Sequence, residues 1–303
     1  MRKLLALLLT LWLAPALAQV PMTGAGKGVP VAATYQGPGD VFASASSWYS
    51  CSRSYSASYA SSGTNGACDV VDTSTGLITC TYHIKTNGFV DPSECNGVGQ
   101  SCQTACSVIK AYDQTGNGYH MLQSTATLAQ LPHLTFSSTP TGTLPTIDCG
   151  TGAVFFMQAT TSPVLSQPFT MSGVANRNSG TAESGFLGQN GNASLGFGSG
   201  ANLAEVFGGA PALTKAATDS AWHSINGLFN GGGTSSAINV DGSDSTGATG
   251  AAGTTANTLR LCRAGPAQFS GLLAEAGVWA ATSTSTDRNN LSSNQHGTSG
   301  YNF

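Results

Sequence analysis

Charge is what this chain has least of. Its 303 residues carry 11 Lys+Arg and 14 Asp+Glu, so 8% are charged, against roughly 25% in an ordinary soluble domain. Helical surfaces are built largely from Glu, Lys, Arg and Gln, and the shortage argues against a helix-rich protein. Cations cluster nowhere beyond Arg2-Lys3, the rest being scattered from Lys27 to Arg288. Without a basic patch, no nucleic-acid partner is expected. Long apolar runs are missing after the N-terminus, so no later segment is expected to span a membrane. Metal hooks are missing too. The five histidines (His83, His120, His133, His223, His296) form no His-x-His or His-Glu-x-x-His pattern, and Asp241-Gly-Ser-Asp244 lacks the further acids of a calcium loop. Neither a metal nor a cofactor is expected. No Gly-x-Ser-x-Gly elbow sits on a strand-to-helix turn, and Gly198-Ser199-Gly200 is read as a chance likeness.

What remains is a Gly-rich chain (39 Gly) with 40% hydrophobic residues and 12 Phe, 8 Tyr and 4 Trp. These aromatics and a net charge of only −3 exclude full disorder. The N-terminus reads as a leader. Arg2-Lys3 is basic, Leu4 to Leu13 is apolar, and Ala16-Leu17-Ala18 is a small-x-small cleavage site before Gln19. The apolar run is shorter than the roughly 20 residues a membrane span needs. Residues 1–18 are therefore predicted to be a cleaved signal peptide, placing the protein outside the cell or in a periplasm. Loss of Arg2 and Lys3 takes the net charge from −3 to −5.

Eight cysteines agree with export: Cys51, Cys68, Cys80, Cys95, Cys102, Cys106, Cys149 and Cys262. The number is even and admits four disulfides. Zinc binding through Cys102-x-x-x-Cys106 lacks a second hook. Cys149 and Cys262 stand apart from the rest and are expected to pair as a long-range staple, while the sequence leaves the wider connectivity open.

Residues 19–36 read as an extended lead-in and 37–303 as one domain, opening with a turn-rich, disulfide-stapled layer to Cys106. Short β-branched or aromatic stretches then predict strands: Ser107–Tyr112, Val154–Met157, Phe169–Met171, Gly185–Leu187, Ala193–Phe197, Ala221–Phe229, Ala237–Val240, Thr258–Cys262 and Leu272–Trp279. Asn190-Gly191 and Asp241-Gly242 suit tight hairpins. Gly231–Ser236 and Gly242–Thr255 read as long loops. Two helices are expected, a short one over Ala201–Phe207 and a terminal one over Ser285–Asn294, capped by Ser285 or Thr286. The fold class is all-β, a sandwich or barrel.

Three segments together resemble a concanavalin-A-like, laminin-G-like jelly roll. They are Trp222-His223-Ser224-Ile225 with Phe229-Asn230-Gly231, then Ala237-Ile238-Asn239-Val240-Asp241-Gly242, then Phe269 to Trp279 followed by Asp287-Arg288. Upstream, the chain runs through Gly37-Pro38-Gly39-Asp40-Val41, Ser52-Arg53-Ser54-Tyr55-Ser56, Cys102-x-x-x-Cys106 and Tyr112-Asp113-Gln114-Thr115-Gly116-Asn117-Gly118-Tyr119-His120. That succession is similar to the catalytic module of α-L-arabinofuranosidase B over roughly residues 37–300. The resemblance implies a jelly-roll β-sandwich with a disulfide-stapled, loop-rich N-terminal layer, a Cys102–Cys106 bridge, and a glycan partner. It also implies a secreted hydrolase of terminal α-L-arabinofuranosyl groups, working through a carboxylate nucleophile and an acid/base.

At the matching positions the chain departs from that pattern. The nucleophile strand corresponds to Leu195–Ala201, which has no carboxylate; the acid/base segment reads Leu261-Cys262-Arg263-Ala264-Gly265; and an adjacent cysteine pair corresponds to Phe186-Leu187. No catalytic residue is carried over. Among the remaining acids, Asp113 and Asp241 read as turn formers, and the direction of Glu275 is unsettled by alternation. Glu205, the nearest acid after the vacant nucleophile position, is the single catalytic candidate. His120 and His223 read as scaffold. Three functions are therefore in play: an arabinofuranosidase-type hydrolase with relocated acids, a lectin-like glycan-binding module, and a surface or virion structural protein.

Overall fold

The computed structural model describes residues 35–73, 78–95, 102, 106–123, 130–136, 144–150, 155–180, 182–189, 192–231, 233–255, 258–264, 268–297, 300, 301 and 303. The expected signal peptide and the lead-in up to residue 34 lie outside these, as does Asn190-Gly191. Within them the first half of the chain forms β1 (Ser47–Ser50), β2 (Asn65–Asp72), β3 (Ile78–Ile84), β4 (Cys106–Ala111), β5 (Met121–Gln123), β6 (His133–Thr135), β7 (Thr146–Asp148), β8 (Met157–Ala159) and β9 (Phe169–Arg177). The second half forms β10 (Ser184–Gly188), β11 (Ala193–Phe197), β12 (Leu203–Gly208), β13 (Leu213–Ala216), β14 (Trp222–Phe229), β15 (Ser236–Val240), β16 (Ser243–Gly247), β17 (Arg260–Leu261) and β18 (Gly271–Trp279). Helices are few: α1 (Pro38–Val41), α2 (Ala57–Ala60) and α3 (Ser285–His296). None is long and apolar enough to cross a membrane.

Every described pairing is antiparallel. β18 is the spine, with β9 along one edge and β7 and β1 end to end along the other. Beyond β9 lie β14, β15 and β16. Beyond β7 the ladder passes through β6 to β4, which also pairs with β2, itself paired with β3. It continues from β4 through β5, β8, β17, β10, β11 and β12 to β13. Strands β11 to β13 fold back over β14 and β15, making an all-β sandwich from a nearly closed sheet. Gly227 in β14 shows how close the layers come. A Cβ there would stand 2.6 Å from Val206 Cγ2 and 3.0 Å from Leu195 Cδ1. Between the layers, Phe197 stacks on Phe269 at 5.8 Å, with Phe186 edge-on to both.

Helix α3 covers the outer side of β14 and β15. It begins at Thr284, one residue before the expected caps, with a box in which Thr284 accepts from Asp287 N and Asp287 accepts from Thr284 N. Gln295 reaches from it to Ser172, Ser224 and Glu275. Glu275 turns inward and pairs bidentately with Arg53 at 2.6 and 2.8 Å, both side chains fully buried, while Tyr301 donates to the same carboxylate. This acid is a structural anchor between β18 and the segment after β1.

Several expectations are corrected. Ala201–Phe207 does not form a helix. Leu203–Gly208 is a strand, because β11 and β13 satisfy its backbone on both edges, and the turn before it uses left-handed residues at Gly200 and Asn202. The stretch read as a loop after Gly242 contains edge strand β16, which follows a turn with positive φ at Asp241 and Gly242. The N-terminal layer is more regular than expected, since β2, β3 and β4 order it. Three disulfides are closed, Cys80–Cys95, Cys102–Cys106 and Cys149–Cys262, while Cys51 and Cys68 are buried and not bridged in this structure.

Candidate functional site

Three separated segments meet at one end of the β10–β11–β12 sheet. Gly185 accepts from Ala264 N, Phe186 accepts from Cys262 N, and Ser184 faces Phe197 across the ladder. These are the segments where the resemblance places catalytic and sugar-site residues, and the structure fills them with scaffold. Phe186, Leu187, Leu195 and Phe197 are wholly buried, and Cys262 is tied to Cys149. Among the described residues, no carboxylate stands on these segments.

Glu205 reaches this end from the neighbouring strand. In β12, Val206 points to the sandwich interior against Gly227, so strand alternation puts Glu205 on the opposite face. There it faces Gly196 in β11 and Thr214 in β13. Gly198 leaves room for the carboxylate, as a Cβ at that position would lie 2.8 Å from Glu205 Oε2. Glu205 is only 5% exposed. Its pKa is pushed up to about 7, first by burial and then by the charge and hydrogen-bonding contact of Glu183.

Glu183 immediately precedes β10, and its own carboxyl is also raised by burial. Its Oε1 is buried with no donor. Two ionised carboxylates in contact repel, and neither offers a hydrogen, whereas one proton shared between them answers both problems. The nearby guanidinium of Arg177 is spent elsewhere. It bonds Asp219 at 2.6 Å and donates to the carbonyls of Gly198 and Gly200, holding the rim of the site without neutralising the glutamates. Sequence reading missed Glu183. Reading Leu203–Phe207 as an alternating strand, rather than a helix, would have placed Glu205 on the sheet face that Glu183 borders.

The other acids have structural partners. Asp113 accepts from Trp48 N, Thr115 and Tyr119 N, and its own backbone N–H donates to His120 Nδ1. Asp241 accepts from His223 at 2.6 Å, His296 at 3.1 Å and Ser224 N. Among the described residues, no group of His, Cys, Asp and Glu is arranged to hold a metal. A separate cleft of about 560 Å³ lies toward the other end of β10 and β11, lined by Gln167, Asn192, Gly231 and residues 251–255 among others. Gln167 is committed to its walls through Gly231 N, Gly250 O and Ala252 O.

No protein-family model matches the chain, and no curated protein matches it in sequence. Solved structures do match in fold. A GH54 α-L-arabinofuranosidase soaked with a cyclic sulfate inhibitor superposes with a TM-score of 0.62 at 15% identity, covering 86% of this chain and 64% of that one. A variant GH54 α-L-arabinofuranosidase soaked with 4-nitrophenyl α-L-arabinofuranoside gives 0.61 at 16% identity with the same coverage. An arabinofuranosidase complexed with arabinofuranosyl-α-1,2-xylobiose gives 0.58 at 14% identity, again with the same coverage. The chain thus spans 64% of the length of these structures. At this identity the likeness is one of architecture: the chain has an arabinofuranosidase-like β-sandwich fold.

Proposed function

We propose that this is a secreted carbohydrate-interacting protein of the arabinofuranosidase type, acting on terminal α-L-arabinofuranosyl groups of plant polysaccharide, with Glu205 as proton donor and Glu183 as its carboxylate partner. The observation that carries the reading is the buried Glu205 carboxyl in contact with the half-buried Glu183 at the end of the sheet where three candidate segments converge. A carboxyl with a pKa of about 7 holds its proton near neutrality, which is what a glycosidic leaving oxygen requires of a general acid. Retaining hydrolases hold their two carboxyl groups about 5–5.5 Å apart across the sugar, and this reading assigns the second carboxyl to Glu183.

A second reading, glycan binding without hydrolysis, is favoured by one specific observation. The two carboxyls are in contact, closer than the hydrolase spacing. Incubation with 4-nitrophenyl α-L-arabinofuranoside, with affinity gels cast in arabinan, separates the two. Release of nitrophenol that Glu205→Gln abolishes supports hydrolysis. Retardation in the gel without release supports binding alone. Neither release nor retardation overturns both and favours a structural role.

A further inference from the structure

We propose that Cys51 and Cys68 form a fourth disulfide in the mature protein, covalently joining the sandwich to its N-terminal sheet. Cys51 follows β1, which belongs to the β18 side of the sandwich. Cys68 lies in β2, opposite Tyr82 of β3 and Ala111 of β4. Both side chains are wholly buried, and the Cys51 thiol is a side-chain neighbour that acts on Cys68. The remaining six cysteines are all in disulfides, so these are the two thiols left over, and they are neighbours.

The three closed bridges leave a gap that this bond would fill. Cys80–Cys95 lies within the N-terminal sheet, Cys102–Cys106 is a short local loop, and Cys149–Cys262 ties the ends of β7 and β17. None of them joins β1 to β2.

The chemistry is thiol–disulfide exchange with an external small-molecule or oxidoreductase disulfide. One cysteine loses its proton and its thiolate attacks a sulfur of the external disulfide, breaking that S–S bond and releasing one thiol. The second cysteine then loses its proton and displaces the other half as a thiol. The protein has lost two protons and two electrons, and the external disulfide has gained them. Burial pushes the Cys68 thiol well up, suppressing the thiolate once the fold has closed. The exchange therefore belongs to folding, before β1 and β2 pack together.

The test uses the full mature chain, reduced and unfolded, then refolded in a mixture of reduced and oxidised glutathione. After refolding it is unfolded again without reductant in excess iodoacetamide and digested. The expected result is no alkylated cysteine and a peptide containing Cys51 cross-linked to one containing Cys68. Alkylation of Cys51 and Cys68, with the other three bridges intact, overturns the proposal, as does either one cross-linked to any other partner. As a second readout, the Cys51→Ala variant should leave Cys68 as the one alkylatable thiol; Cys68 that stays protected in that variant overturns it as well.

Discussion

Replacing Glu205 by Gln removes a buried acid while keeping its shape and giving Glu183 an amide donor, so the site should lose the Glu205 share of its pH dependence. The size of the effect follows from the raised pKa. In the unfolded chain Glu205 titrates near 4.5, and in the fold it titrates at about 7. The native state therefore holds a proton that the unfolded state has released between those values. A raised acid contributes its full share of stability below 4.5 and loses it as the pH climbs through about 7. The gap of about 2.5 units, at roughly 1.4 kcal/mol per unit, amounts to about 3 kcal/mol. For a domain of this length that is roughly 6–12 °C in Tm.

The assay is urea unfolding followed by tryptophan fluorescence at constant ionic strength between pH 4.5 and 8.5. His223, raised by its bond to Asp241, also loses stabilising influence as pH rises. It is present in both proteins and cancels in the difference. Wild type and Glu205→Gln should be close at pH 4.5, and by pH 8.5 the variant should be the more stable by about 3 kcal/mol. Parallel pH profiles would refute the shared-proton account of Glu183 and Glu205.

Four further outcomes can be checked by the same unfolding measurement. Arg53→Met leaves the Glu275 carboxylate buried without its bidentate partner and should cost about 3–5 kcal/mol, most of which Arg53→Met/Glu275→Leu should recover. Asp241 is held well below the usual carboxylate range by His223 and His296, so its contribution is present above about pH 4 and lost as pH falls. Asp241→Asn should accordingly cost about 1–3 kcal/mol at pH 6 and flatten the acid limb of the stability curve. Gly227→Ala drives a methyl into Val206 and Leu195 and should cost about 1–3 kcal/mol by overpacking. Thr284→Ala removes the cap of α3 and should cost about 0.5–2 kcal/mol.

The strands were legible where side chains alternate and turns punctuate. Ala193–Phe197 appears with the expected ends, and Leu272–Trp279 is a residue short of β18. These stretches are short and mostly apolar, bounded by turn residues, and nearly every position in them is buried. The edges were harder to read. Ser243–Gly247 is a strand of small polar residues, since an edge strand facing solvent needs no apolar pattern. Leu203–Gly208 misled because Ala, Leu and Glu are good helix formers, while the pairing with β11 and β13 that overrides them is not local. The site was half legible for the same reason. Glu205 was singled out by its place after a vacant position. Glu183 comes within reach only through the β10–β11–β12 ladder, and no spacing in the sequence reports a contact across two hairpins. Glu275 shows the converse, as its role became readable only when Arg53, some 220 residues away, closed on it at 2.6 Å.

The central claim is that the Glu183–Glu205 end of the sandwich engages arabinofuranosyl groups. It is tested most directly by calorimetric titration of arabinofuranosyl-α-1,2-xylobiose into wild type, Glu183→Gln and Glu205→Gln at pH 5, where both variants should remain folded. The account predicts binding by wild type and at least tenfold weaker binding by each variant, with melting curves nearly unchanged. Equal binding by all three would move the site elsewhere, and no binding by the wild type to this or any arabinan would contradict the account outright.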